Sequence, residues 1–245
     1  MLTHERNQDL ISFGKTVAII PAGGSGRRMQ GCASKQYLHL NGLPILVHTL
    51  LRFQSLSAVD AIYLVVPEGD VAEVRTSIVE AYALTKVTKV IPGGRERQDS
   101  VGHAVYALED DVQLVAVHDG VRPFVTGALI HHAMRVAATD GAAVVAVPAK
   151  ETVKIAREDL IIDYTPLRDR IWITQTPQVF RREILIRAYE RAFADGFYGT
   201  DDAGLVERMG VPVRLVHGSY DNIKITIPDD LVAAEALMKK KEWSA

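Results

Sequence analysis

Short apolar runs alternate with amphipathic stretches through most of this chain. Residues 17–21 (VAIIP) are apolar and rich in β-branched side chains, as a strand covered on both faces of a parallel sheet requires. Comparable runs recur at 61–67 (AIYLVVP), 88–91, 113–118 (QLVAVH) and 142–147. Between them the helical period predicts helices over about 70–82, with Asp70 as N-cap, over 98–108 and over 129–138. Such alternation predicts an α/β fold, an open, mostly parallel sheet with helices on both faces. Ligands of such sheets sit beyond the carboxyl ends of the strands. Segments 23–26, 93–100 and 119–122 each follow a predicted strand, so three loops should share one edge.

The rhythm breaks between 147 and 172. Two short runs, 152–155 (TVKI) and 160–164 (LIIDY), flank the polar 156–159 and predict a β-hairpin turning near Glu158. A hairpin alone is marginal in water, so this one should pack on something. Beyond it, Thr176-Pro177-Gln178 is expected in a loop. Helices over 181–194 and 202–209 follow, then strands over 212–216 and 223–226, and a last helix opening at Pro228. No internal repeat or low-complexity tract interrupts this plan. It reads as one domain over 16–240 with an arm at about 148–172. Residues 1–15 mix both charges without an apolar core and read as a flexible N-terminal extension, not a secretory signal.

Composition narrows the options. At 245 residues and 48% hydrophobic the chain has a sizeable core available, and disorder is not expected. A formal net charge of −2 argues against broad nucleic-acid binding, though not against a local basic pocket. No stretch approaches the ~20 apolar residues of a membrane span. The single cysteine, Cys32, can form no internal disulfide, which suits a reducing cytoplasm; nothing marks it as a nucleophile.

The candidate chemistry begins after the first strand, where Gly23, Gly24 and Gly26 precede Arg27, Arg28 and Lys35. Glycines let a ligand approach the backbone, and successive N–H groups can form an anion-binding concavity. A dinucleotide fingerprint from Gly24 fails at Met29, and a Walker A loop from Gly26 fails at Cys32. On loop composition alone, a phosphate site and an ordinary strand-to-helix turn with surface arginines fit equally well.

Four segments decide between them: PAGGSGRRM with Lys35-Gln36-Tyr37-Leu38, Arg97-Gln98-Asp99-Ser100-Val101, His118 to Phe124 (HDGVRPF), and Asp221-Asn222-Ile223-Lys224. Together they resemble the 2-C-methyl-D-erythritol 4-phosphate cytidylyltransferase family, enzymes of a route to isoprenoids, over 16 to about 237. The resemblance implies a Rossmann-like fold whose hairpin arm crosses to a second subunit, so a homodimer. It also implies cytidylyl transfer from CTP to a sugar-alcohol phosphate, with Mg²⁺ as cofactor. A cytidylyltransferase for ribitol 5-phosphate shares the first loop but usually lacks the RQDSV segment. A hexose-phosphate nucleotidyltransferase is more distant. A nucleotide-binding module without turnover would not need Arg28, Lys35, Arg168 and Lys224 together.

Site roles carry over on matching positions. Arg28 and Lys35 are the cations expected to stabilise the α-phosphorus. Lys224 and Arg168 are expected to position the acceptor phosphate, Arg168 from the partner subunit and with Arg170 as its close competitor. Thr152, Thr176, Thr200 and Arg122 complete the acceptor contacts. Cytosine and the triphosphate fall to Ala22, Gly23, Gly24, Gly26, Gly94, Arg95 and Ser100. Asp119 is expected to bond substrate or ribose, or to hold Mg²⁺ with Asp221 across the site. Arg95, Ser34 and Val121 depart mildly from the family pattern, which puts side-chain detail in doubt rather than the reaction.

Overall fold

The computed structural model describes residues 13–23 and 35–241; the side chains of Lys35 and Lys241 are not among the described parts. Gly24, Gly26, Arg27, Arg28, Cys32, Ser34 and the Lys35 side chain, all singled out above, therefore lie outside the described residues.

In chain order the elements are β1 (Lys15–Pro21), β2 (His39–Leu40), β3 (Leu43–Pro44), α1 (Ile45–Gln54), β4 (Ala61–Val66), α2 (Val71–Val74), β5 (Val87–Pro92), α3 (Arg97–Tyr106), β6 (Val112–Val117), α4 (Gly127–Asp140) and β7 (Ala142–Pro148). Then come β8 (Ile155–Ala156), β9 (Ile162–Tyr164), β10 (Trp172–Arg181), α5 (Arg182–Ala194), α6 (Asp202–Arg208), β11 (Arg214–His217) and α7 (Pro228–Lys241). Seven strands form one sheet in the order β11-β7-β10-β6-β1-β4-β5. All run parallel except β10, which is antiparallel to both of its neighbours.

The sheet divides the core in two. Side chains alternate across a strand, and in β1 Ala18 and Ile20 face one cluster while Val17 and Ile19 face the other. The first cluster is closed by Leu50 and Phe53 of α1 and by Ile130 and Met134 of α4. The second is closed by Val101 and Val105 of α3, Leu185 and Tyr189 of α5, and Val206 of α6. A third, small cluster joins Leu40, Ile45, Val121, Phe124, Ile225 and Ala234. The chain builds β1, β4 and β5 outward in one direction, then returns to lay β6 on the other side of β1. That reversal opens a crevice at the carboxyl ends of β1 and β6.

Several expectations needed correction. Thr176, Pro177 and Gln178 lie inside β10 and not in a loop. Pro lacks the N–H that a ladder needs, but the pairing of β10 with β7 skips from Thr174 to Gln178, so no ladder bond is asked of Pro177. Residues 223–226 do not form a strand; Ile225 is buried and its N–H donates to the Val121 carbonyl, so the alternation there reflects packing. Asp70 makes no side-chain cap; its carboxylate accepts the Tyr37 hydroxyl at 3.0 Å, and the helix that follows passes from α into a π turn over Arg75–Glu80. β1 begins at Lys15, and just before it Phe13 is buried with its ring 5.2 Å from that of His131. The hairpin is present, but its ladder is only Ile155–Tyr164 and Ala156–Ile162.

Ile19 is fully buried and pairs with Tyr63 on one side and Val117 on the other. Ile19→Ala should therefore cost about 2–5 kcal/mol of stability. Urea denaturation followed by circular dichroism measures this, and an unchanged midpoint would remove β1 from the centre of the core.

Candidate active site

A cleft of about 270 Å³ opens at the predicted edge, where Pro21 to Gly23, Gly94 to Arg97 and Asp119 converge with Lys224. Backbone bonds carry the strand pairing into its walls. Ala22 N–H donates to the Val65 carbonyl, Gly93 N–H to Val66, and Gly120 N–H to Pro21. Glycine is required at Gly94, because a Cβ there would lie 2.3 Å from Asp99 Cβ. Ser100 Oγ then accepts the Gly94 N–H at 3.0 Å and donates to the Glu96 carbonyl at 3.0 Å, folding the loop onto the first turn of α3.

Asp119 is buried and surrounded by cations. Its Oδ2 takes Arg122 Nε at 3.1 Å and Lys224 Nζ at 3.1 Å, and Arg97 Nε lies 3.9 Å from Oδ1. Burial would push the Asp119 carboxyl up, but Lys224, then Arg97 and Arg122, override it and hold it well below the usual carboxylate range. Arg122 is anchored in turn by donating Nη1 to the Asn222 carbonyl at 2.9 Å. Asn222 donates its side-chain N–H to the Thr176 carbonyl at 2.9 Å, which ties the DNIK segment to β10.

His118 and Thr176 support Asp119 from behind. His118 Nε2 faces the Arg122 carbonyl at 3.1 Å, which can only accept, so Nε2 carries the proton. In the neutral ring Nδ1 then accepts from Thr176 Oγ1 at 3.1 Å, and the same hydroxyl oxygen accepts the Asp119 N–H at 3.0 Å. The one hydroxyl proton of Thr176 is thus committed to His118.

The family follows from comparison with known proteins. The model of the 2-C-methyl-D-erythritol 4-phosphate cytidylyltransferase family matches residues 16–240. The chain belongs to this family. A relative of that name from Syntrophus aciditrophicus is 53% identical over 228 residues, 93% of this chain and 97% of the relative. Another, from Geotalea uraniireducens, is 47% identical over 92% of this chain and 97% of the relative. Among solved structures, 4-diphosphocytidyl-2C-methyl-D-erythritol synthase from Anaerococcus prevotii aligns with a TM-score of 0.82 at 34% identity, covering 94% of this chain and 98% of that one.

Among the residues expected to serve this family's chemistry, the cleft gathers Ala22, Gly23, Gly94, Arg95, Ser100, Asp119 and Lys224. Arg122 and Thr176 sit directly behind Asp119. Thr152 and Arg168 are exposed on the arm, and Thr200 is exposed just before α6; none of the three lines the cleft. Asp221 does not line it either. No cluster of three metal-ligating side chains occurs among the described residues. Two cations already bond Asp119 Oδ2, so that oxygen does not suit a dication. No described helix is long and apolar enough to cross a membrane.

The sequence reading assigned no role to several residues that matter here. His118 stands in a quoted motif, but only its contacts show its part. Gln36 brings a buried carboxamide to the cleft wall. Arg97 lines the cleft and pairs with the buried Asp202, 105 positions away.

Burial pushes the His118 ring down to about 4 from its ordinary 6.5, with Asp119 and Arg122 as its charged neighbours. Between those values the unfolded chain holds the extra proton, so the stability contributed by neutral His118 is complete above 6.5 and is lost as pH falls toward 4. The loss should approach about 3 kcal/mol relative to His118→Gln. Urea midpoints of both proteins at pH 7 and pH 4 measure it; equal shifts would contradict a buried neutral ring.

Proposed function

We propose that this cleft transfers the cytidylyl group of CTP to 2-C-methyl-D-erythritol 4-phosphate, giving 4-diphosphocytidyl-2-C-methyl-D-erythritol and pyrophosphate. The observation that carries the reading is the meeting of Ala22–Gly23, Gly94–Ser100 and the Asp119–Lys224 pair at one sheet edge. An oxygen of the acceptor phosphate attacks the α-phosphorus of CTP in line. The new P–O bond forms as the bond to the bridging oxygen of the β-phosphate breaks, and pyrophosphate leaves. The attacking monoester is already an anion, so the task is to bring anions together and stabilise the charge of the transition state.

Ala22, Gly23, Gly94, Arg95 and Ser100 hold the nucleotide in this assignment, joined by the loop residues Gly24 and Gly26. Main-chain groups carry most of the base recognition, since Gly94 has no side chain and Ser100 Oγ is engaged within its own loop. Arg28 and Lys35 act on the α-phosphorus, and Lys224 orients the acceptor phosphate. Asp119 holds Lys224 in place and bonds the ribose or acceptor through its less crowded Oδ1. Thr176 acts through Asp119, because its proton is given to His118. Magnesium fits this site as an ion carried on triphosphate oxygens rather than in a protein cage, and it would supply charge neutralisation there.

The arm is assigned to a homodimer, in which Thr152 and Arg168 reach the neighbouring cleft, and Thr200 is assigned to the acceptor. Leu160 is 86% exposed and Leu167 73%, with Ile161, Ile162 and Tyr164 exposed between them. A contiguous apolar surface of this kind marks an interaction face.

Pyrophosphate release measured with each nucleotide and acceptor tests the reaction. CTP with 2-C-methyl-D-erythritol 4-phosphate should exceed UTP, ATP and GTP by a wide margin, and equal turnover with UTP would overturn the cytidylyl assignment. Complementation tests the arm. Arg168→Ala and Lys224→Ala homodimers should be nearly inactive, while coexpression makes heterodimers with one intact site and about half the activity of a wild-type dimer, by two-fold symmetry. A mixture as inactive as its parents, with heterodimers verified by native mass spectrometry, would place Arg168 outside the neighbour's site.

A further inference from the structure

Arg97 opens α3 and lies in the cleft wall, yet its guanidinium is gripped from outside the cleft. Asp202, fully buried at the start of α6, receives Nη1 at 3.1 Å and Nη2 at 2.6 Å. Tyr189 of α5, also fully buried, donates its hydroxyl to the same carboxylate at 2.6 Å. The two following residues brace the same region. Gln98 donates to the Phe197 carbonyl at 2.9 Å and accepts the Gly199 N–H at 2.8 Å, and Asp99 accepts the Tyr198 hydroxyl at 2.8 Å. Three consecutive side chains at the start of α3 therefore clamp the segment that leads into α6.

We propose that Arg97 is a further phosphate-binding cation of this cleft, and that Asp202 and Tyr189 are positioning residues that act through it. A guanidinium has five N–H donors. The pairing with Asp202 uses two, and Nε stands 3.9 Å from Asp119 Oδ1, close enough for charge but too far for a hydrogen bond. Donors therefore remain for an anion entering the cleft, and one third of the side chain is exposed there. Two-point pairing fixes the plane of the guanidinium before any ligand arrives, which is the condition for a charge contact to favour a transition state. Lysine cannot reproduce it, because an ammonium has no planar fork. The role is independent of Lys224, which approaches Asp119 from its other oxygen. The proposal rests on the cytidylyl-transfer reading for the identity of the phosphates, but not for the presence of the cation.

The test uses the full chain and the variants Arg97→Lys, Arg97→Ala, Asp202→Asn, Tyr189→Phe and the Arg97→Ala/Asp202→Asn pair. Steady-state constants are measured for CTP and for acceptor separately, CTP binding by calorimetry, and folding by thermal melting. Arg97→Lys should melt near wild type and lose about 10²-fold in kcat/KM. Its split between CTP affinity, acceptor KM and kcat tells which phosphate Arg97 meets. Asp202→Asn should lose activity in the same parameters, and the double variant should be no worse than Arg97→Ala alone, because residues acting through one group are not additive. Tyr189→Phe, which deletes only the hydroxyl, should cost about three- to tenfold; it carries the positioning claim if Asp202→Asn fails to fold. A folded Arg97→Lys with wild-type constants and CTP affinity would overturn the proposal, as would losses at Arg97 and Asp202 that simply add. A wild-type chain that releases no pyrophosphate would instead refute the cytidylyl-transfer reading. The Arg97 claim would then be decided by calorimetry with CTP and with the acceptor phosphate, which needs no turnover: unchanged binding of both in Arg97→Ala would overturn it.

Discussion

One buried carboxylate, Asp119, governs the arrangement of this cleft. A charge out of water is costly unless it is paired and hydrogen-bonded, and Asp119 is kept ionised by Arg97, Arg122 and Lys224, with Lys224 contributing most. Two of these cations are held by a second partner. Arg97 is gripped by Asp202, and Arg122 donates to the Asn222 carbonyl. The backbone N–H of Asp119 is held through Thr176. Parts of the chain a hundred positions apart are thereby brought to one point.

Such pairing is weak evidence for stability, because desolvation offsets most of the attraction between buried ions. The arrangement is better understood as preorganisation. Three cations against Asp119 and Asp202 leave a local surplus of positive charge in the cleft wall. Phosphates complete that charge balance. The same logic accounts for the poor fit of a dication at Asp119 Oδ2, since two nitrogens already bond that oxygen.

The sheet makes the arrangement rigid. β10 runs against the direction of its neighbours and inserts between β6 and β7, which places Thr176 beside His118 and Asp119. Its sequence hides this role. A proline and polar residues such as Thr174, Gln175 and Gln178 argue against a central strand, and only the skipped pairing with β7 reconciles them with one. α1 was equally hard to foresee: seven of its ten residues are buried, including His48 and Thr49, and none is fully exposed, so no clear polar face displays a helical period.

What the sequence determined by itself is local or repetitive. Continuous apolar runs identified β1, β4, β6 and β7, because a strand covered on both faces has no polar side to display. Helical periods located α3 to α7 within a few residues, and the loops after three strands were correctly placed on one edge. The family was legible because its motifs keep Gly94, Ser100, Asp119 and Lys224 in recognisable company. Tertiary structure alone decided which charges meet. Nothing near Arg97 in the chain announces Asp202, and nothing near Thr176 announces His118, because these contacts are made across crossovers whose lengths carry no information about side-chain direction. The sequence names the groups that can carry charge. Only packing decides which are buried, and burial makes a partner obligatory.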